Sequence, residues 1–200
     1  MAGTGVITRP DLTLPAPEAE ALRAAYAAAS VVLEYGSGGS TILAAEMPGK
    51  HVISVESDKA WARMMRRWFE ENPPAAGTQV EIVWCDIGPT REWGYPSDPA
   101  QHLKFARYPL SVWDRDGFRQ PDVVLVDGRF RTGCALAAAL RSERPVRVLI
   151  DDYLRRQHYH RIERYLGKPE MTGRLAAFDV TPIPLQPEWL ADVIEMMTRP

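Results

Sequence analysis

Three apolar stretches of this 200-residue chain each close on a carboxylate. VVLEY (31–35) carries Glu34, HVISVES (51–57) carries Glu56, and VEIVWCD (80–86) ends in Asp86. The first runs directly into Gly36-Ser37-Gly38-Gly39. Glycines permit positive φ and let a ligand lie against bare backbone. A carboxylate ending the second stretch can accept hydrogen bonds from two ribose hydroxyls, and one ending the third can meet an adenine amino group. The chemistry this spacing suits is the grip on a nucleoside-bearing small molecule.

Two common nucleotide loops do not match. In a G-x-G-x-x-G dinucleotide fingerprint Gly36 and Gly38 would fit, but the third position is Thr41. A P-loop needs Gly-Lys-Ser/Thr, and no lysine occurs between Glu34 and Gly49. A second acidic group lies further on: Asp127 in VDGRFR, and Asp151 with Asp152 in IDDY. On neighbouring strands, about 4.8 Å apart, these carboxylates would converge and repel one another. A cation, Arg129 or Arg131, or a retained proton could compensate. In QHYHR, His158 and His160 are two residues apart, so they point to different helix faces, and His158 is a candidate base.

The elements that would position these residues follow from pattern. APEAEALRAAYAAA (16–29) is rich in helix formers. Residues 31–35 and 51–57 read as buried strands, and Thr41–Met47 as a helix between them. Ser57 or Asp58 caps a helix whose Trp61, Met64, Met65, Trp68 and Phe69 recur at i, i+3, i+4, i+7, i+8, the spacing of core packing. Asn72-Pro73-Pro74 ends it. Residues 79–87, 121–128 and 146–153 read as further strands, with helices from about Arg131 to Ser142 and from strand five through Leu166, closed by Gly167. GRLAAFDVTPI (173–183) and WLADVIEMM (189–197) read as two last strands in an antiparallel edge hairpin. Strands alternating with helices predict an α/β fold, a mostly parallel sheet with helices on both faces.

Composition narrows the field. Hydrophobic residues are 46% and charged residues 25%, the balance of a globular protein. The formal net charge of −2 gives no global attraction to nucleic acid or an anionic membrane. The arginines at 129, 131, 155, 156, 161 and 164 read as solvated helix faces. Cys85 and Cys134 suit a reducing compartment better than a disulfide scaffold. The opening MAGTGVITRPDLTLPAPEAE lacks a basic segment followed by an apolar run, so no secretory signal is expected, and no apolar run reaches bilayer length. The expected location is the cytoplasm.

The order Glu34, Gly36-x-Gly38, Glu56 and Asp86 resembles the class I S-adenosylmethionine-dependent methyltransferases. VLEYGSGGST is similar to their first motif with an extra glycine, the acidic end of VISVES to their second, and VEIVWCD to their third. The resemblance spans about residues 16–197. It implies a Rossmann-like seven-stranded sheet and S-adenosylmethionine as cofactor. It places Glu34, Gly36 and Gly38, with Ser37 and Gly39, along the methionine part, Glu56 with Ser57 at the ribose, and Asp86 with Ile87 at the adenine. Asp127 falls near the reactive end. The cation-dependent O-methyltransferases carry acidic residues at the ends of the same two later strands, so Asp127, Asp151 and Asp152 are candidate Mg²⁺ ligands, although Gly128 and Arg129 depart from that pattern. Catalytic candidates are Asp127, Asp151 and His158. NPP at 72–74 is similar to a motif of amino-group methyltransferases but stands before strand three with Ala75 in place of the aromatic, which argues against base or amide N-methylation.

Residues 88–121 form a long insert between strands three and four of one domain. Its Trp93, Tyr95, Phe105, Tyr108 and Trp113 argue for order, as a substrate lid over the strand ends with Lys104 and Arg107 meeting an acidic small-molecule acceptor, or equally as an oligomer contact, a homodimer. The reading that results is an O-methyltransferase for a small molecule. A catalytically silent binding module with the same fold is the alternative. A nicotinamide-dependent oxidoreductase is disfavoured by Thr41 and by the helix before strand one.

Overall fold

The computed structural model describes residues 8–200. The amino-terminal reading on secretion rests partly on residues 1–7, which lie outside them. Among the described residues no helix is long and apolar enough to cross a membrane.

Helix α1 (Ala16–Ala28) leads into β1 (Val31–Tyr35), α2 (Gly39–Ala45), β2 (His51–Glu56), α3 (Lys59–Glu71) and β3 (Gln79–Trp84). The insert follows, holding the two-residue strands β4 (Thr90–Arg91) and β5 (Tyr95–Pro96) and the short α4 (Arg107–Leu110). Then come β6 (Val123–Val126), α5 (Arg131–Arg141), β7 (Val146–Ile150), α6 (Glu163–Leu166), β8 (Glu170–Thr172), β9 (Leu175–Val180) and α7 (Leu190–Thr198). The main sheet has seven strands in the order β3-β2-β1-β6-β7-β9-β8. The first five are mutually parallel, and β9 pairs antiparallel with both β7 and β8. The chain winds outward from β1 to β3, then returns to β6 on the other side of β1. That reversal opens a crevice at the carboxyl ends of β1 and β6.

Alternation along each strand sorts side chains to two faces. Leu33, Tyr35, Ile53, Val55, Val124 and Val126 share a core with α5, α7 and the insert. Val32, Val52 and Leu125 face the other way, with Leu22 and Tyr26 of α1 and Leu43 of α2. Ile82 of β3 packs with Ile42, Ala62 and Met65 of α2 and α3.

The parallel half follows the sequence closely, while the carboxyl-terminal third differs. The segment 189–197, expected as a strand, is α7, with Met196 and Met197 buried and Val193 packed behind them. Burial at i, i+3 and i+4 is helical spacing, and a short apolar run cannot be separated from a buried helix by periodicity alone. The edge hairpin exists, formed by β8 and β9 around Gly173. The strand expected over 146–153 stops at Ile150, where Asp151 begins a turn, and the helix expected through Leu166 is a 3-10 segment (Gln157–Ile162) followed by one turn of α6. Helix α2 begins two residues earlier than expected, at Gly39.

Helix α7 packs across α5 at Gly133. A Cβ there would stand 2.6 Å from the Met196 carbonyl oxygen and 2.9 Å from Met197 Cα. Backbone cannot yield as a side-chain tip can, so Gly133→Ala should cost about 1–3 kcal/mol despite alanine's better helix propensity. Urea unfolding followed by circular dichroism checks this. A stability equal to the wild type would contradict the docking of α7 described here.

Candidate functional site

A cavity of about 920 Å³ opens at the crevice. Its floor is the glycine loop, residues 36–40, and the Asp127-Gly128-Arg129 turn after β6. Its walls are Glu56–Asp58 after β2, Trp61 and Met64 of α3, Glu92–Gly94 and Tyr108 of the insert, and the segment Pro10–Thr13.

The two floor loops touch. Gly36 has φ +102°, and a Cβ there would lie 2.8 Å from the Gly128 nitrogen. Glycine is needed at Gly36 for conformation and for this contact. Gly128 N–H in turn donates to the Tyr35 carbonyl at 2.6 Å. Tyr108 fills the space above Gly128, its hydroxyl donating to the Val55 carbonyl at 3.2 Å. Pro10–Thr13 crosses the loop at Gly39, where a Cβ would meet Asp11 backbone. Gly38 lines the cavity, and a Cβ there would meet no protein atom. The glycine therefore leaves open space where a ligand can approach the backbone.

Glu34 does not reach this cavity. It lies inside β1 in the register that points toward α1 and α2, and it is fully buried. Tyr26 Oη donates to its Oε1 at 2.6 Å, and Thr41 Oγ1 donates to its Oε2 at 2.5 Å. Gly38 N–H donates to Thr41 Oγ1 at 3.0 Å. Glu34 thus holds the loop from beneath. Burial pushes its carboxyl up from the ordinary value, against the pull of the Thr41 and Tyr26 hydroxyls.

Glu56 is on the cavity wall and almost buried. Its Oε1 accepts from Ser57 N at 2.7 Å and Asp58 N at 2.8 Å, and its Oε2 accepts from Ser37 N at 3.2 Å. Burial raises its carboxyl, and these backbone donors oppose the shift. Ser57 Oγ donates to the Gly94 carbonyl at 2.9 Å, which brings the insert beside Glu56. Trp93, the preceding residue, has φ 61° and is 82% exposed at the cavity edge.

The expected adenine pair lies elsewhere. Asp86 accepts from Gly88 N at 2.9 Å and pairs with Lys104 at 3.0 Å, while Ile87 is buried in the core near Phe105. Neither lines the cavity, because the insert folds over the end of β3. The α3 stripe, expected to be wholly core, is divided: Met65 is fully buried, whereas Trp61 and Met64 face the cavity.

The second acidic group is bound by arginines. Arg174, at the hairpin turn, chelates Asp151 with Nε–Oδ1 2.9 Å and Nη2–Oδ2 2.8 Å. Buried Arg131 reaches Asp127 Oδ1 at 3.1 Å, the Asp127 carbonyl at 2.8 Å and Asp152 Oδ2 at 3.6 Å. The Mg²⁺ set of Asp127, Asp151 and Asp152 is therefore corrected: guanidinium groups occupy the lone pairs a hard cation would need. Among the described residues no group of three or more His, Cys, Asp or Glu side chains is placed to hold a metal. Asp151 is buried away from the cavity, and His158 is exposed, edge-on to Tyr159 at 4.4 Å. Of the catalytic candidates Asp127 alone lines the cavity. Burial is the main reason its carboxyl is pushed up from 3.8 to about 6, with Arg131 lowering it and Asp151 raising it.

The strand order and a glycine-loop cavity at the β1/β6 reversal define a class I methyltransferase fold. A methyltransferase-like protein from Silicibacter pomeroyi DSS-3 is 61% identical, over 96% of this chain and 99% of that one, with a TM-score of 0.94. The chain belongs to this methyltransferase-like family. More distant solved structures share the fold. The O-methyltransferase TomG from Streptomyces achromogenes, in complex with SAM, is 18% identical over 86% of this chain and 83% of its own, with a TM-score of 0.57. An O-methyltransferase from Bacillus cereus, in complex with SAH, is 14% identical over 86% and 84%, with a TM-score of 0.58. No family model and no curated protein matches the chain.

Residues assigned other roles from the sequence also line the site: Trp61 and Met64, read as core, Asp58, read as a helix cap, and Arg129, read as a counter-charge to the acidic cluster; Pro10–Thr13 was given no role. Trp61 and Met64 share one end of the α3 stripe, the available signal. Asp58 and Arg129 stand close in sequence to residues expected at the site, and only Pro10–Thr13 depends on a chain crossing that no local pattern records.

The raised carboxyl of Asp127 has a consequence for stability. The fold favours its protonated form, so its contribution is present below about pH 4 and lost as pH rises through about 6. Asp127→Asn should match the wild type near pH 4 and be the more stable of the two at pH 8. Urea midpoints at the two pH values test this, and a variant less stable at pH 8 than at pH 4 relative to wild type would contradict the assignment.

Proposed function

We propose that the protein is an S-adenosylmethionine-dependent methyltransferase acting on an oxygen of a small-molecule acceptor. The observation that carries the proposal is Asp127, a cavity-lining carboxyl pushed up to about 6 beside the glycine loop. A base of that strength is largely ionised at pH 7 yet can hold a proton from a hydroxyl.

The residues present fit the cofactor's methionine and ribose portions. Gly36–Gly39 give close backbone approach, and Glu56 presents an acceptor at the cavity wall. Trp61, Met64 and Trp93, rather than Asp86 and Ile87, offer the apolar surface an adenine needs. When bound, the cofactor supplies an electrophilic methyl group. Asp127 orients the acceptor hydroxyl and takes its proton as the new carbon–oxygen bond forms and the carbon–sulfur bond breaks. Arg131, held by Asp127, Asp152 and backbone carbonyls, fixes the carboxylate's direction. Glu92–Gly94 and Tyr108 of the insert wall one side of the crevice. The expected homodimer and cytoplasmic location remain part of this proposal rather than of the described geometry.

That Asp127 stands alone among the catalytic candidates at the cavity favours one second reading, a binding module that keeps the cofactor without turnover. Methyl transfer from labelled cofactor to a panel of hydroxylated metabolites separates the two. Turnover should rise with pH through an apparent pKa near 6, and Asp127→Asn should reduce it about 10²–10⁴-fold. Full turnover by that variant would sink the role of Asp127. Glu56→Gln, with loss of charge-assisted hydrogen bonds worth about 1.5–3 kcal/mol, should weaken S-adenosylhomocysteine binding at least tenfold in calorimetry. Unchanged affinity would remove Glu56 from the cofactor's grip.

A further inference from the structure

We infer that Arg129 is an anion anchor and that the acceptor carries a single carboxylate, which Arg129 binds while Asp127 faces the acceptor hydroxyl. The inference rests on the methyltransferase reading for the word acceptor, but not for the anchor itself.

Four observations point to it. Among the described residues Arg129 is the one cationic side chain on the cavity wall. Its Nε is buried with no hydrogen-bond partner. Most arginines nearby are neutralised: Arg131 by Asp127 and Asp152, Arg174 by Asp151 and Asp152, Arg156 by Asp152. Arg129 forms no such pair among the described residues, and its guanidinium instead lies over the Tyr95 ring at 5.9 Å. Arg129 is partly buried, and a cation partly desolvated without a counter-charge carries a cost that a ligand anion would offset. Burial also lowers the Arg129 pKa, in keeping with a charge that lacks a partner. A guanidinium presents a planar fork that matches a carboxylate in two parallel hydrogen bonds.

Position and charge narrow the ligand. Arg129 stands two residues after Asp127 in the turn that follows β6, so it shares the part of the cavity floor where Asp127 faces the acceptor hydroxyl. This assigns it to the acceptor rather than to the ribose end. The wall also carries Asp11, Glu56, Asp58, Glu92 and Asp127. Five carboxylates would repel a dianion such as a phosphate monoester, while one carboxylate can be met by the one arginine. Tyr108, above Gly128 between Asp127 and Arg129, suits a planar body between the carboxylate and the hydroxyl.

The test uses 2-, 3- and 4-hydroxybenzoate, each paired with its hydroxybenzamide. These are titrated into full-length wild type, Arg129→Met and Arg129→Lys, with and without saturating S-adenosylhomocysteine. At least one acid should bind wild type ten times more tightly than its amide. Arg129→Met should erase that preference while leaving S-adenosylhomocysteine affinity within twofold, and Arg129→Lys should restore part of it. Equal binding of every acid and amide, including no binding by either, overturns the proposal, as does a preference that survives Arg129→Met. A loss of S-adenosylhomocysteine affinity in Arg129→Met overturns the acceptor assignment and gives the anchor to the cofactor's carboxylate. An acid preference erased by Arg129→Met in a protein that does not bind S-adenosylhomocysteine supports the anchor and sinks the methyltransferase reading.

Discussion

A buried carboxylate under the glycine loop is the constraint on which the site depends. An ionised group removed from water is costly unless hydrogen bonds replace its hydration. Glu34 meets that demand through Tyr26 of α1 and Thr41 of α2, so one side chain joins the first helix, the first strand and the second helix. Thr41 passes the constraint to the loop by accepting Gly38 N–H. The loop cannot drift without leaving a buried polar atom unpaired. Its contact at Gly36 then fixes the neighbouring Gly128 turn, and that turn carries Asp127 and Arg129 into the cavity.

The same logic separates the two acidic groups. Glu56 is spread over three backbone N–H donors and stays at the wall. Asp151 is neutralised by a bidentate arginine and withdrawn from the cavity. Asp127 lies between these limits. It shares Arg131 with Asp152, keeps 32% of its side chain exposed, and its carboxyl is pushed up to about 6. The insert contributes at both ends. Trp113 and Tyr108 tie it to Tyr35 and Val55 in the core, while Glu92–Gly94 reaches the cavity.

Much of the parallel half could be read directly from the chain. The β-branched runs at 31–35, 51–56 and 123–126 became strands, and the glycine loop fell at the reversal of the sheet, where such folds hold ligands. What could not be read depended on partners distant in sequence. Glu34 has the position of a ligand residue, and only strand register shows that it points inward. Asp151 seemed free for a metal because Arg174, 23 residues on, folds back onto it. Asp86 and Ile87, expected at the adenine, lie off the cavity beside an insert whose path has no periodic signature. At the carboxyl end, an apolar run of strand length proved to be α7, whose Met196 and Met197 pack on α5 at Gly133, a partner distant in sequence.

In the proposed function the nucleoside cofactor sits in the cavity above the Glu34-braced loop. A crystal structure grown with S-adenosylhomocysteine tests it most directly. Ligand density is expected between Gly38 and Asp127, with the ribose hydroxyls at Glu56, the adenine against Trp61 and Met64, and Glu34 still paired to Tyr26 and Thr41. Density at Asp86 and Ile87 with the insert displaced, or a cavity that stays empty at saturating ligand, would contradict it.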